Sequence, residues 1–356
     1  MQIANRSILA LLGLLFSFIL TDSMDAGTGP SRYLDRDSAW FSGTEAREVA
    51  THILSFQSEL GGWPKNTNTT IGPAKKSQAS LAPTFDNGAT VDELRFLARI
   101  ESVTHDELYS KAFHRGLDYI LKAQYPSGGW PQSYPPDQAY HRHITFNDNA
   151  MVNLMRFLCE VTTEPQYSFV APEVKATAGV EFDRGIQCIL RCQIKVDGKL
   201  TGWCAQHDEN DYRPRPARAF EPVSLSGSES VGIIRLLMSV DRPDAATIAA
   251  VDGAVAWFER SKLTGHRLIE VADDKAPHGK DLKWVEDASA PPMWARFYEI
   301  ESNRPIFCDR DQVVKYSIAE IGYERRNGYS WLGKWAENLL EKDYPKWKAR
   351  NPVPAN

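Results

Sequence analysis

Asp86 and Asp148 each stand in a short polar loop among asparagines: Asp86 precedes Asn87, and Asp148 lies between Asn147 and Asn149. Carboxylates with amide oxygens close by are hard-oxygen donors, a set that suits Ca2+ and not zinc. Their spacing is not that of an EF-hand loop, so the pattern identifies a donor type without a known motif. A second group lies in HDENDYRPRPARAFEP (207–222), where His207, Asp208, Glu209 and Asp211 interleave with Arg213, Arg215 and Arg218, stiffened by Pro214 and Pro216. A planar guanidinium grips a carboxylate through two parallel hydrogen bonds, so an acidic ligand such as a uronate is the matching chemistry. By residue type alone Arg213 and Arg215 are equally a solvated charged loop, and His207 is equally structural. Trp63, Trp130, Tyr134, Trp203 and Tyr212 fall near these loops; their flat faces pack on pyranose rings or on a protein core.

What must hold these residues together is a repeat. TFDNGATVDELRFLARI (84–100), TFNDNAMVNLMRFLCEV (145–161) and SLSGSESVGIIRLLMSV (224–240) align, with Val91, Val152 and Val231 in register and Arg95, Arg156 and Arg235 four residues on. VEDASAPPMWARFYEI (285–300) reads as a weaker fourth copy, with Asp287 opposite Asp86 and Arg296 opposite Arg95. Apolar positions within each copy recur at helical intervals, as at Val91, Leu94, Leu97 and Ala98, and Thr90 with Glu93 forms a capping-box pattern. A second repeat precedes the first: a helix, then Gln57 followed by GGWPKN, Gln124 followed by GGWPQS, and Gln193 followed, at a longer interval, by TGWCAQ. Two helices per unit predict a mainly α protein, an α/α toroid built as an incomplete barrel of repeated α-hairpins with long rim loops. Such a winding brings Trp63, Asp86, Trp130, Asp148 and Arg218 to one rim.

Composition narrows the alternatives. An apolar run from Ile8 to Leu20 after Arg6 has the plan of a secretory signal, so residues 1–25 are expected to be removed and 26–356 to form one domain, secreted or periplasmic. The run is short for a membrane span, and an uncleaved anchor is the alternative. A net charge of −5 and a pI near 6.0 leave no electrostatic footprint for nucleic acid. Five cysteines at irregular spacing imply no full disulfide framework and no zinc site, although Cys188 and Cys192 sit one helical turn apart. A serine elbow, a phosphate loop and a dinucleotide fingerprint are absent.

Seven motifs in order, GGWPKN, TFDNGAT, GGWPQSYP, HITFNDNAM, GWCAQHD, PARAFEPVSLSGSES and NRPIFCDRD, span most of the chain from about Phe56 to Tyr344. In these the chain resembles the family 10 polysaccharide lyases, the pectate lyases with an α/α-toroid catalytic module. The resemblance implies cleavage of polygalacturonate or pectin oligosaccharides by calcium-assisted β-elimination, in a monomer without stable membrane insertion. It implies that Asp86 and Asp148 hold Ca2+ and that Arg218, in PARAFEP, binds the uronate carboxylate. It further implies that Arg304, in NRPIF, is the Brønsted base for the C5 proton. Trp63, Asn87, Trp130 and His207 complete the expected substrate-binding set. Two other readings use the same fold: a glycosidase acting on uronides through a carboxylic acid and water, and a non-catalytic protein that captures pectin fragments.

Overall fold

A computed structural model of the protein describes residues 29–352. The expected signal segment lies outside them. Helices dominate: α1 (Ser38–Ser42), α2 (Thr44–Ser55), α3 (Val91–Thr104), α4 (Glu107–Ala123), α5 (Ala150–Thr163), α6 (Pro172–Cys192), α7 (Glu229–Met238), α8 (Ala245–Arg260), α9 (Tyr323–Gly328) and α10 (Tyr344–Arg350). Strands come in pairs, of which Lys280–Glu286 against His266–Ala272 is the longest. No described helix is long and apolar enough to cross a membrane.

The helix ends follow the sequence signals. The Thr90 N–H donates to Glu93 Oε2 at 2.8 Å ahead of α3, and Asp106 and Asp244 accept from Leu108 N and Thr247 N at the starts of α4 and α8. His105 turns left-handed (φ 53°) to end α3, and α4 begins two residues later, so these two helices pack as a hairpin. The pairs α5 with α6 and α7 with α8 repeat the arrangement, and α3, α5 and α7 touch in succession. One buried apolar cluster runs from Tyr33 to Trp347. Arg95 on α3 reaches Glu160 on α5 through two hydrogen bonds of 2.8 and 2.6 Å, so the arginine shared by the repeats joins helices here.

The GGW motifs set the spacing of α2, α4, α6 and α8. Gln57 Nε2 bonds both Gly61 O and Ala112 O of α4. Gln124 Nε2 does the same to Gly128 O and Glu181 O of α6, and Gln193 Nε2 to Thr201 O and Ala250 O of α8. Gly61 and Gly128 adopt φ of 107° and 90°, and a Cβ on either would come within 2.3 Å of a carbonyl of the next helix, Arg115 or Arg184. The tryptophans that follow are buried spokes, each donating its indole N–H to the preceding helix. Trp63 bonds Ile53 O, Trp130 bonds Ile120 O and Trp203 bonds Ile189 O.

The fourth copy departs from the expected alignment. Residues 285–300 form no helix; Pro291 and Pro292 interrupt the segment, and Trp294–Ala295 and Phe297–Tyr298 are short strands pairing with Leu332–Gly333 and Leu225–Ser226. Trp294 donates to Phe258 O at 3.0 Å, which makes it the counterpart of Trp63, Trp130 and Trp203. Arg296 is therefore not a counterpart of Arg95, and Asp287 pairs with Arg267. All five cysteines are unbridged thiols.

Candidate functional site

Backbone bonds between repeats build the rim. Phe85 N bonds Gln132 O, Phe146 N bonds Ala205 O, and Gly227 N bonds Arg296 O, each at 2.9 Å. Each loop before α3, α5 or α7 thus lies against the residue two places past the next tryptophan. The loops themselves turn through left-handed residues, Asn87 (φ 54°) before α3, Asp148 (φ 51°) and Asn149 (φ 58°) before α5, which asparagine and aspartate tolerate better than other side chains.

Between these loops lies a cleft of about 160 Å³ whose lining includes Lys65, Asp86, Asn87, Gln132, Asp148 and Arg218. Asp86 is buried. Its Oδ2 accepts from Gln132 Nε2 at 2.7 Å and pairs with Lys65 Nζ. Among the described residues its Oδ1 has no hydrogen-bond partner, and neither has Gln132 Oε1. Asp148 keeps 40% of its side chain exposed, accepts from Asn147 Nδ2 at 2.6 Å and lies 3.6 Å from Arg296 Nη2. Desolvation, then the charges of Glu229 and Asp86, hold its carboxyl above the usual range against the opposing pull of Arg296 and Arg218.

The basic side of the cleft is braced from behind. Arg218 Nε and Nη2 bond the two oxygens of buried Glu221 at 2.8 and 2.5 Å, and Tyr329 OH adds a third bond to Glu221 at 2.7 Å. These bonds raise the guanidinium above its ordinary pKa and fix its plane over Phe220, 4.9 Å from the ring centre. Arg218 Nη1 is left without a hydrogen-bond partner among the described residues. Arg296 is held by Glu229 at 2.5 Å, and Ser226 Oγ bonds the other oxygen of Glu229.

The structure brings Asp86, Asn87, Asp148 and Arg218 together and leaves four other expected residues out. Trp63 and Trp130 are fully buried with their N–H groups spent on the helix before them, so neither offers a face to a sugar. His207 is fully buried too: its Nε2 accepts from Cys204 N at 3.0 Å and its Nδ1 bonds Tyr212 O at 2.8 Å. Burial lowers its pKa to about 4, so it is a neutral structural imidazole. Arg304 is exposed, its guanidinium 3.7 Å above the Tyr316 ring and beside Glu299, away from the cleft lining. Its backbone belongs to a turn after Tyr298, where Glu299 N bonds Arg304 O at 2.9 Å, and this turn directs the side chain outward.

Among the described residues, His143, Asp208 and Glu209 also bring three potential metal-binding atoms close together. Those atoms are already engaged. Glu209 pairs with Arg142 and His143, while Asp208 accepts from Asn210 N, Asp211 N and Arg215. Partial burial opposes ionisation of Asp208, but these donors overcome it and lower its pKa to about 2. The group is a charge lattice that pins the 207–222 segment.

Sequence reasoning missed Lys65, Gln132 and Arg296, although a signal was there. Each lies two residues after a spoke tryptophan, in WPK, WPQ and WAR, and the repeat delivers that position to the rim.

The Pectic acid lyase family model matches residues 57–340. The chain belongs to that family. This lyase is also similar to two solved structures of a family 10 polysaccharide lyase from Cellvibrio cellulosa. One, a mutant in complex with trigalacturonic acid, is 32% identical with a TM-score of 0.76, covering 91% of this chain and 97% of that one. The other is 33% identical with a TM-score of 0.75, covering 89% and 95%. No curated protein sequence matches. The protein is a polysaccharide lyase enzyme.

Proposed function

We propose that this lyase is an exported pectate lyase, a single α/α-toroid domain that cleaves polygalacturonate by calcium-assisted anti β-elimination in the cleft of Asp86, Asp148 and Arg218. The observation that carries the reading is the donor set: a buried carboxylate oxygen of Asp86 without a partner, a second aspartate, and a braced arginine lining the same cleft. The trigalacturonic acid held by the Cellvibrio relative supports the substrate class.

The residues fit a calcium ion. Asp86 Oδ1 and Gln132 Oε1 are unpartnered hard oxygens, and Asp148 adds an accessible carboxylate. Bound there with a uronate, calcium would neutralise the sugar carboxylate and make the C5 proton more acidic. Lys65, now paired with Asp86, adds positive charge on the same side.

Arg218 does the work that the chain itself supplies. Its fixed guanidinium orients the uronate carboxylate and stabilises the negative charge that spreads onto it as C5 loses its proton. The electron pair of that C–H bond becomes the C4–C5 double bond, and the C4–O bond to the next sugar breaks, its oxygen taking a proton from water. Arg304 lies outside the cleft lining, and Arg218 in its neutral form can accept the C5 proton through Nη1, becoming by that step the cation that faces the developing charge while calcium would hold the carboxylate. Glu221 keeps the guanidinium charged, so the neutral form is scarce and the rate should climb far into the alkaline range.

Elimination leaves a double bond conjugated to the carboxylate, which absorbs in the ultraviolet, whereas hydrolysis does not. Polygalacturonate is therefore incubated with the enzyme and calcium, and absorbance and new reducing ends are followed together. Equal growth of both supports the proposal; reducing ends without absorbance would identify a glycosidase instead.

A further inference from the structure

The cleft, at about 160 Å³, is smaller than the roughly 300–1,000 Å³ of pockets that bury a small ligand. A chain of linked uronates bound there must continue onto surface outside it. Lys65 and Gln132 line the cleft and also a groove of about 650 Å³ that opens beside it. Consecutive residues mark the junction, since Tyr140 lines the cleft and His141 the groove.

The groove has the chemistry of a polyuronate track. Phe56, Ile71, Pro73 and Leu81 give it apolar surface of the kind on which pyranose faces pack. Lys75 and Lys76 stand along it, exposed, and neither forms an ion pair among the described residues. Its one acidic side chain, Asp137, is held by His141 Nδ1 at 2.6 Å. Two uncompensated ammonium groups beside a carbohydrate-sized trough suit an anionic partner, and a polymer with one carboxylate per sugar provides it at each step.

We propose that this groove is the chain-extension subsite of the enzyme, taking the galacturonate units next to those in the cleft, with Lys75 and Lys76 as counter-charges to their carboxylates. The proposal rests on the polygalacturonate reading of the cleft. Exposed ammonium–carboxylate pairs are individually weak and screened by salt. The groove therefore adds affinity through chain length and charge density, favouring long, unesterified stretches over short or methylated ones.

The test uses the full enzyme and the Lys75→Ala/Lys76→Ala double variant, with galacturonate oligomers from dimer to hexamer. KM and kcat come from ultraviolet rates with calcium, and equilibrium binding of the same oligomers is measured in chelator. At low ionic strength the variant should raise hexamer KM by about 3- to 10-fold with kcat little changed, and the dimer should be unaffected. The difference should shrink in high salt and vanish for methyl-esterified oligomers, while a Lys75→Glu/Lys76→Glu variant should exceed the alanine effect. An unchanged hexamer affinity, or a change independent of length and esterification, would overturn the groove assignment. Binding that depends on the two lysines, in an enzyme that yields no unsaturated product, would leave the groove standing and overturn the lyase reading of the cleft.

Discussion

Gln132 Nε2 donates to Asp86 Oδ2 at 2.7 Å, although the two residues come from successive repeats. The bond holds the carboxylate with one oxygen engaged and the other, Oδ1, without a partner among the described residues. In Asp86→Asn an amide oxygen remains for Gln132, but the charge opposite Lys65 and the second anionic oxygen are gone. The variant is expected to fold, to bind calcium more weakly and to lose about 10²- to 10³-fold in turnover on polygalacturonate. Calorimetric calcium titration beside the ultraviolet assay checks this. Wild-type values in both would remove Asp86 from the site.

His207 links the fold to pH. Its pKa is about 4 in the folded protein, because burial disfavours the charged ring, against about 6.5 when unfolded. The unfolded chain therefore binds the extra proton first. Stability from this residue is complete above about pH 6.5 and drains away as pH falls toward about 4, by about 3 kcal/mol in all. Urea unfolding at neutral pH and near pH 4 should show the loss. His207→Gln should cost about 1–3 kcal/mol at neutral pH and flatten the acid slope, with KM unchanged in the folded fraction. An unaltered slope would mean that His207 is not the titrating group.

Trp130→Phe separates packing from sugar contact. The change removes the indole N–H that bonds Ile120 O in a site with no exposure. A drop of about 1–3 kcal/mol in stability is expected, with KM for polygalacturonate as in the wild type. A several-fold rise in KM at undiminished stability would show that the ring meets substrate after all.

The helices were legible because their apolar positions recur at the helical interval and their ends carry caps such as Asp106 and Asp244. Asp86, Asn87, Asp148 and Arg218 were legible as a set because they sit in loops that a two-helix repeat sends to one side. The tryptophans misled: aromatic residues beside a rim look like sugar platforms, and nothing in their type reveals that their N–H groups are spent inside the protein. The fourth repeat keeps the likeness of Arg296 to Arg95 but not the helix, because Pro291 and Pro292 interrupt it, and the register that aligns Lys65, Gln132 and Arg296 follows Trp294 instead. Arg304 came from motif likeness, and the direction of a side chain in a turn is set by tertiary packing, which a motif does not encode.

Where the chemistry happens is tested by two arginine variants side by side. Turnover is measured by ultraviolet absorbance at saturating polygalacturonate and calcium for Arg218→Ala and Arg304→Ala, each shown by circular dichroism to be folded. The cleft account predicts a fall of at least about 10²-fold for Arg218→Ala and a value near that of the wild type for Arg304→Ala. Full activity without Arg218, or its collapse without Arg304, would contradict it.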